Sequence, residues 1–393
     1  MISSRVRNLQ ESATLKINAV VNRLKAEGKN IYNLTAGEPD FAPPEAAKKA
    51  VVDAVAKNLA KYTPTPGLPD LRELVAAKTN AQQPGLQKPW KASDVVVTNG
   101  GKQAIYDAIF SLIDTGDEVI IPSPFWLSYP EMVKAAGGTT VQVETTHAEG
   151  YKLSAAKLEK AITPKTKLFI LNSPSNPTGA LYSKELLQEI GKVLEKHPDV
   201  WVLSDEIYDR IEFVPGSWNS FLAVNPSLRD RTVTVNGLSK SGAMTGWRIG
   251  WSVTPDSLTP ALIALQGHST SGICSLSQHA AIATLKLPLQ DFEPHRKEFL
   301  NRRNLALEVL KKSAKIGVYE PEGAFYFFLD VRKALKDNQD ANGFAEKVLQ
   351  DVQVAVVSGV DFGAPTCVRI SFAVDEKTLL EACQRLVDYC DRA

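Results

Sequence analysis

Lys240 and Arg248 stand eight positions apart in the run Asn236-Gly237-Leu238-Ser239-Lys240-Ser241-Gly242-Ala243-Met244-Thr245-Gly246-Trp247-Arg248-Ile249-Gly250. Small, polar and glycine residues surround the lysine. A lysine alone in a loop is usually a solvated charge. A lysine and an arginine held together between two buried strands can serve as an amine nucleophile beside an anion clamp. Trp247, Ile249 and Trp251 around Arg248 lead us to expect a buried guanidinium. A buried guanidinium needs an anion, and it can grip a phosphate with two parallel hydrogen bonds. A small molecule bearing both an aldehyde and a phosphate would satisfy the pair. Pyridoxal 5′-phosphate is such a molecule.

Other segments supply what that chemistry needs. Ser204-Asp205-Glu206-Ile207-Tyr208 follows the apolar run Val200-Trp201-Val202-Leu203. Asp205 at a strand end could keep a pyridine nitrogen protonated, which makes the ring a better electron sink. Tyr208, three residues on, could hydrogen-bond a phenolic oxygen; the plainer reading of Asp205 is a helix N-cap. In Asn172-Ser173-Pro174-Ser175-Asn176-Pro177-Thr178-Gly179, two prolines and a glycine make a rigid turn that presents Asn176 as a donor. In Thr98-Asn99-Gly100-Gly101-Lys102-Gln103-Ala104, a strand runs into glycines and then a helix. The free N–H groups and positive dipole of such a helix start can cradle phosphate, with Lys102 adding charge. The spacing is not that of G-x-G-x-x-G, which counts against a dinucleotide. Pro124-Phe125-Trp126-Leu127-Ser128-Tyr129-Pro130 offers Trp126 as a ring to stack on a cofactor, although a bare tryptophan is more often core. Arg369 lies within the apolar run Cys367-Val368-Arg369-Ile370-Ser371-Phe372. A basic group there needs a partner, and a substrate carboxylate would serve.

The elements that must position these residues alternate. Strands are expected at Val95–Thr98, Glu118–Pro122, Thr140–Glu144, Thr166–Asn172, Val200–Ser204, Thr232–Asn236 and Arg248–Val253, with helices at Gly101–Ile113 and Ser183–Lys196 between some of them. Several strands are rich in Val, Ile and Leu without clean alternation, as strands buried on both faces are. This is the α/β pattern of a mostly parallel sheet, which binds ligands beyond the carboxyl ends of its strands. The candidate residues fall there. Beyond about residue 290 the character changes. A helix is expected over Glu293–Lys312, strand-like segments over Val318–Asp330 and Val354–Val357, and a helix over Glu376–Asp391. We expect a large domain, 45–290, and a smaller α+β domain made of 1–44 and 291–393.

Composition bounds the rest. Formal net charge is +1, so nothing points to nucleic acid as a partner. The five histidines and the cysteines Cys274, Cys367, Cys383 and Cys390 lack metal-ligand spacing, so no metal is expected. The cysteines read as reduced thiols and the N-terminus lacks a signal-peptide core, which suggests the cytoplasm. No apolar stretch approaches a membrane span.

Taken together the chain resembles the class I, fold-type I aminotransferases. The match covers nearly the whole chain, from Ser12-Ala13-Thr14 and Thr35-Ala36-Gly37-Glu38-Pro39-Asp40 through the segments above to Arg369. It is nearest the bacterial branch of aspartate and aspartate/prephenate aminotransferases, on strings such as Tyr129-Pro130-Glu131-Met132, Ala161-Ile162-Thr163-Pro164 and Gly323-Ala324-Phe325-Tyr326. The resemblance implies a seven-stranded, mostly parallel sheet and a homodimer with shared active sites. It implies that Tyr62, in Lys61-Tyr62-Thr63-Pro64-Thr65-Pro66-Gly67, reaches the phosphate of the neighbouring subunit. It also implies Gly37, Trp126, Asn176 and Arg369 around the bound amino acid. Gly237 departs from the serine found there in many relatives. Gln10-Glu11 departs from the Lys-Pro often found before Ser12 in this branch. Ser12, Thr14 and Lys16 are the nearest candidates to read a second carboxylate. The expected activity is ping-pong transfer of an amino group from L-aspartate or glutamate to a 2-oxo acid. Aromatic or prephenate transamination, C–S lysis on the same fold and a non-enzymatic regulator are the alternatives.

Overall fold

The computed structural model of the chain describes residues 2–11, 13–336 and 339–392. Seven strands form the main sheet, numbered here in chain order: β1 (Val95–Asn99), β2 (Glu118–Ser123), β3 (Thr139–Glu144), β4 (Thr166–Asn172), β5 (Trp201–Asp205), β6 (Thr232–Gly237) and β7 (Ile249–Val253). Their spatial order is β1-β7-β6-β5-β4-β2-β3. The pairs β2–β3, β2–β4, β4–β5 and β5–β6 are parallel, whereas β7 runs antiparallel to both β1 and β6. Each of the seven strands expected for this sheet is present, with ends shifted by a residue at most.

The direction of β7 decides what meets at the ligand edge. The carboxyl ends of β1, β4, β5 and β6 bring Asn99, Asn172, Asp205 and Gly237 to one edge of the sheet. Because β7 runs the other way, its beginning lies on that same edge. Arg248, which immediately precedes β7, therefore arrives beside residues that follow the other strands. The register agrees: Asn99 faces Ile249, Asn172 faces Asp205 and Gly237 faces Gly250.

Helices cover both faces. The Lys184–Glu195 helix starts where Ser183 accepts a hydrogen bond from the Leu186 N–H, 3.3 Å. It buries Leu187, Ile190, Val193 and Leu194 against the sheet and turns charged residues outward. The Gly101–Leu112 helix follows β1 through Gly100, whose φ of +77° needs glycine.

Glycine is needed again where three backbones converge. A Cβ on Gly250 would collide with the backbone of Gly100 and Gly101, and one on Gly237 would lie 2.7 Å from the Ile249 carbonyl oxygen. This accounts for Gly237, since a serine there would push β6 from β7. Gly250→Ala is expected to destabilise the fold by about 1–3 kcal/mol through overpacking. Urea unfolding measures it, and an unchanged midpoint would mean that the three backbones part readily.

Beyond residue 292 a second core forms. The Glu293–Leu310, Ala341–Val352 and Glu376–Arg392 helices pack with the antiparallel strands Tyr326–Asp330 and Cys367–Ser371. Phe299, Phe325, Phe327, Phe344, Phe372 and Leu386 are buried there together with Leu34. The N-terminal segment joins by pairing Tyr32–Asn33 with Val354–Ala355 in parallel.

Two expected strands differ. The segment 318–330 divides into Gly317–Val318 and Tyr326–Asp330. Between them Gly323 fits tightly against Pro174, where a Cβ would stand 2.7 Å from its ring, so the chain turns toward the Asn176 segment. The segment 354–357 divides into Val354–Ala355 and Val357–Ser358, which serve different sheets. No helix among the described residues is long and apolar enough to cross a membrane.

Candidate active site

Lys240 lies in the loop after β6, half-buried. Its Nζ donates to the Gly37 carbonyl and sits 5.9 Å from the centre of the Tyr208 ring and 5.8 Å from that of Phe325. Burial lowers its pKa from 10.5 to about 8. The charges of Arg369 and Arg248 act in the same direction, and Glu38 and Asp205 oppose them. The result is an amine that is largely neutral at mildly alkaline pH.

Asp205 ends β5, buried. No helix follows it, so the N-cap reading falls away. One carboxylate oxygen accepts the Tyr129 hydroxyl, 2.6 Å, and the other accepts the Ile207 N–H, 3.2 Å. Burial raises its pKa to about 6 against these hydrogen bonds and the Lys240 charge. Tyr208 lies in the turn that follows, its hydroxyl 3.0 Å from that of Tyr326. Beneath this turn, buried Glu206 accepts from Ser204 and Ser220, and Asp209 pairs with Lys78 at 2.8 Å. These bonds tie the turn to the strand and to the Pro69–Gln82 helix.

Asn176 is fixed by its own N–H, which donates to the Asn172 side chain, 2.8 Å. Its Oδ1 accepts from Arg369 Nη1, 3.0 Å. Arginine can only donate, so this contact sets the amide's orientation and leaves the Asn176 NH₂ free to donate elsewhere. Arg369, buried in the Cys367–Ser371 strand, also donates to the Thr35 carbonyl, 2.9 Å. Its guanidinium lies over the rings of Tyr326, 4.5 Å, and Phe362, 5.2 Å. Its Nε has no partner. Among the described residues no carboxylate pairs with it. A buried cation held only by neutral groups, with its Nε unpaired, is built for an incoming anion.

At the other end, Gly100 and Gly101 open the helix whose first N–H groups face the sheet edge. A Cβ on Gly100 would stand 2.7 Å from Arg248 Nη2, so the glycine lets the guanidinium close on the helix start. Lys102 joins them with Nζ 5.0 Å from the Trp126 ring; burial, then the Arg248 charge, lowers its pKa. Trp126, half-buried, meets Tyr129 edge-on at 5.2 Å.

One expectation is corrected. Arg248 is exposed, not buried. Its φ of +55° takes it out of strand alternation, so it does not share the burial of Trp251. Its guanidinium donates to the carbonyls of Thr245, 2.8 Å, and Asn99, 2.9 Å. It sits on the rim of the site.

Lys240, Asp205, Tyr208, Asn176, Arg369 and Gly37 thus come together, and Gly100, Gly101, Lys102, Trp126 and Arg248 gather beside them. Tyr62 does not join them within one chain, being fully exposed. Ser12 and the Thr14 side chain lie outside the described residues. Lys16 is exposed and lines a cavity of about 910 Å³ with Ile17, Leu349 and Asp361. The sequence reading missed Tyr129, Tyr326 and Thr35 as partners of site residues. It also missed the bond from Thr245 Oγ1 to Glu38, 2.7 Å, which ties the N-terminal segment to the lysine loop. Tyr129 and Tyr326 stood in noted aromatic strings, but nothing local marks a buried hydroxyl as a site partner.

Fold and site define a chain of the aminotransferase class I and II family, and it belongs to that family: the family's sequence pattern matches residues 29–386. The chain is 39% identical to the aspartate/prephenate aminotransferase of Cereibacter sphaeroides, over 99% of this chain and 98% of that one. It superposes with a TM-score of 0.95 on the crystal structure of the aspartate aminotransferase from Rhizobium meliloti, 37% identical, over 100% of this chain and 99% of that one. Against the Thermus thermophilus aspartate aminotransferase with maleate the score is 0.92, with 38% identity and 99% of each chain covered.

Proposed function

We propose that the protein is a pyridoxal 5′-phosphate-dependent aminotransferase acting on L-aspartate and glutamate, with 2-oxoglutarate as acceptor. The observation that carries this reading is the approach of a low-pKa lysine to a buried carboxylate, a phenol and a buried arginine with an unspent donor. The names of its relatives supply the dicarboxylic substrate.

The donor set fits the cofactor. Lys240 would hold the cofactor's aldehyde carbon through its neutral amine, and its free amine would carry the substrate Cα proton. Asp205 would receive the pyridine N–H, Tyr208 and the Asn176 NH₂ would donate to the phenolic oxygen, and Trp126 would cover the ring. Gly100, Gly101, Lys102 and Arg248 would hold the phosphate. The bound cofactor supplies an electron sink and a carrier for the amino group. Gly37 and Arg369 take the substrate α-carboxylate. Arg369 has an unpaired Nε to offer that anion beside its bonds to Asn176 and Thr35.

The homodimer is part of the proposal. Val52, Val55 and Leu59 form an exposed apolar line that leads to Tyr62. A second copy covering this line would bury it and carry Tyr62 to the neighbouring phosphate. Tyr62→Phe and Lys240→Ala subunits, each weak alone, are expected to regain activity when mixed, because one site of the heterodimer is then intact. No recovery despite subunit exchange counts against a shared site. We also propose that 45–290 and the joined segments 1–44 and 291–393 are separate domains, supported by two cores drawn from 45–290 and a third drawn mostly from the other segments, with Tyr208, Ile211 and Phe213 joining it. A cytoplasmic location completes the reading.

A donor screen tests the function. Purified protein loaded with cofactor is mixed with single amino acids, and loss of the cofactor's absorbance is followed with formation of the 2-oxo acid. Aspartate and glutamate are expected to exceed alanine clearly in kcat/KM, because polar groups built for a carboxylate stay unpaired otherwise. A wide preference for phenylalanine sinks the dicarboxylate assignment. Ammonia and pyruvate released without an acceptor would mean a lyase. Prephenate as acceptor is the second reading, favoured by the name of the Cereibacter relative.

A further inference from the structure

Tyr326 has no part in the reading above, yet it touches both Arg369 and Tyr208. It begins the Tyr326–Asp330 strand and faces Ser371 across the pair. Arg369 lies two residues before Ser371, so alternation sets both side chains on one face of the sheet. The guanidinium lies over the Tyr326 ring at 4.5 Å. The hydroxyl at the far end of that ring is 3.0 Å from the Tyr208 hydroxyl, and 3.5 Å from where a Cβ on Gly37 would stand. The side chain is buried, and the charged or titratable groups acting on it are Arg369, Tyr208 and Glu38.

The direction of the hydroxyl bond follows from counting protons. Each hydroxyl carries one hydrogen and can accept as well. If Tyr208 spends its hydrogen on the phenolic oxygen, the proton between the two tyrosines must come from Tyr326. A hydroxyl that accepts a hydrogen bond is a stronger donor in turn. A cation over the ring draws electron density from it and strengthens its donation. A carboxylate arriving at Arg369 would offset that cation.

We propose that Tyr326 is a positioning residue that donates its hydroxyl proton to Tyr208 and, through the ring beneath Arg369, relays the arrival of the substrate carboxylate to the cofactor's phenolic oxygen. This rests on the cofactor reading above. Binding of the carboxylate weakens the Tyr326 bond, then the Tyr208 bond, and the phenolic oxygen becomes more basic. With cofactor loaded, the proton between Lys240 and the phenolic oxygen would then be held to higher pH.

The test is a pH titration of the visible absorbance of cofactor-loaded protein, for wild type, Tyr326→Phe, Tyr208→Phe and the double variant. Tyr326→Phe is expected to raise the midpoint by roughly 0.5 pH unit. The same change made in Tyr208→Phe is expected to leave the midpoint where it is, because the relay is already cut. Saturating succinate, which has carboxylates but no amine, is expected to raise the wild-type midpoint and to raise that of Tyr326→Phe less. An unmoved midpoint in Tyr326→Phe overturns the proposal. So does an equal shift in both backgrounds, which would mean a merely structural tyrosine, or a succinate shift that survives intact. Should Tyr326→Phe not fold, 3-fluorotyrosine at 326 keeps the hydroxyl and donates more strongly. It is expected to move the midpoint down, and no movement overturns the relay. A wild-type protein that shows no lysine-linked absorbance sinks the cofactor reading itself, whereas a normal wild-type titration indifferent to Tyr326 sinks only this one.

Discussion

Lys240→Ala is expected to lose transamination by more than about 10⁴-fold while remaining folded and able to take up pyridoxal 5′-phosphate. Loss of a positioned proton-transfer group alone accounts for roughly 10²–10⁴, and the covalent route through the amine goes with it. The groups proposed for the phosphate, Gly100, Gly101, Lys102 and Arg248, lie on other segments and remain. The folded core hardly depends on the Lys240 side chain, whose hydrogen bond goes to the Gly37 carbonyl. Steady-state turnover with aspartate and 2-oxoglutarate, cofactor retention on dialysis and far-ultraviolet dichroism separate these effects. Turnover near the wild-type rate would remove the amine from the mechanism. The shifted pKa adds a second expectation. Only the neutral amine can attack the aldehyde, and burial lowers its pKa from 10.5 to about 8. Loading of cofactor into the empty protein should therefore accelerate as pH rises through about 8 and level off above it. Acceleration continuing toward pH 10.5 would mean an ordinary, solvated lysine.

The difference between legible and hidden parts of the site follows from what each depends on. Asp205, Asn176 and Lys240 were readable because each follows an apolar run, and a parallel sheet brings strand ends to one edge whatever the details of packing. Arg248 was readable as a partner of Lys240 but not as an exposed group. Its neighbours Trp247, Ile249 and Trp251 suggested a buried strand, whereas its positive φ turns it out just before the strand begins. Tyr129 and Tyr326 were hidden for another reason. Their hydroxyls find Asp205 and Tyr208 across 76 and 118 residues of chain. In sequence they look like any aromatic in an apolar string, and only packing makes them polar partners. The division of 318–330 was hidden in the same way: the chain turns there because Gly323 meets Pro174, a contact with a distant segment.

Asp205→Asn should move stability and activity in opposite directions. The carboxyl is buried, and its pKa stands at about 6 in the cofactor-free protein against an ordinary 3.8. A raised pKa means that the folded state holds the proton more tightly than the unfolded state does. The stabilisation tied to that proton is full below about pH 4, declines as pH rises through about 6, and is gone above. At pH 8 the ionised carboxylate thus costs the empty fold up to roughly 3 kcal/mol, two pKa units at about 1.4 kcal/mol each. Asparagine carries no charge and can still meet both neighbours. Its oxygen accepts from the Ile207 N–H, and its NH₂ donates to the Tyr129 hydroxyl, which can turn to accept. The empty variant should therefore be more stable than wild type at pH 8, by about 1–3 kcal/mol, with that advantage cut to about a third at pH 4.5. In the loaded enzyme the same change leaves the pyridine N–H without an anion. Breaking a buried ion pair costs about 3–5 kcal/mol, which corresponds to a loss on the order of a thousandfold in kcat. Urea unfolding of the empty protein at the two pH values and single-turnover kinetics of the loaded one read the two halves independently. Destabilisation at both pH values would make Asp205 a structural anchor through Tyr129. Full activity with retained cofactor would leave its burial without a catalytic reason. The expected combination, a fold relieved and a reaction lost, would show that the fold tolerates this charge in order to hold the cofactor.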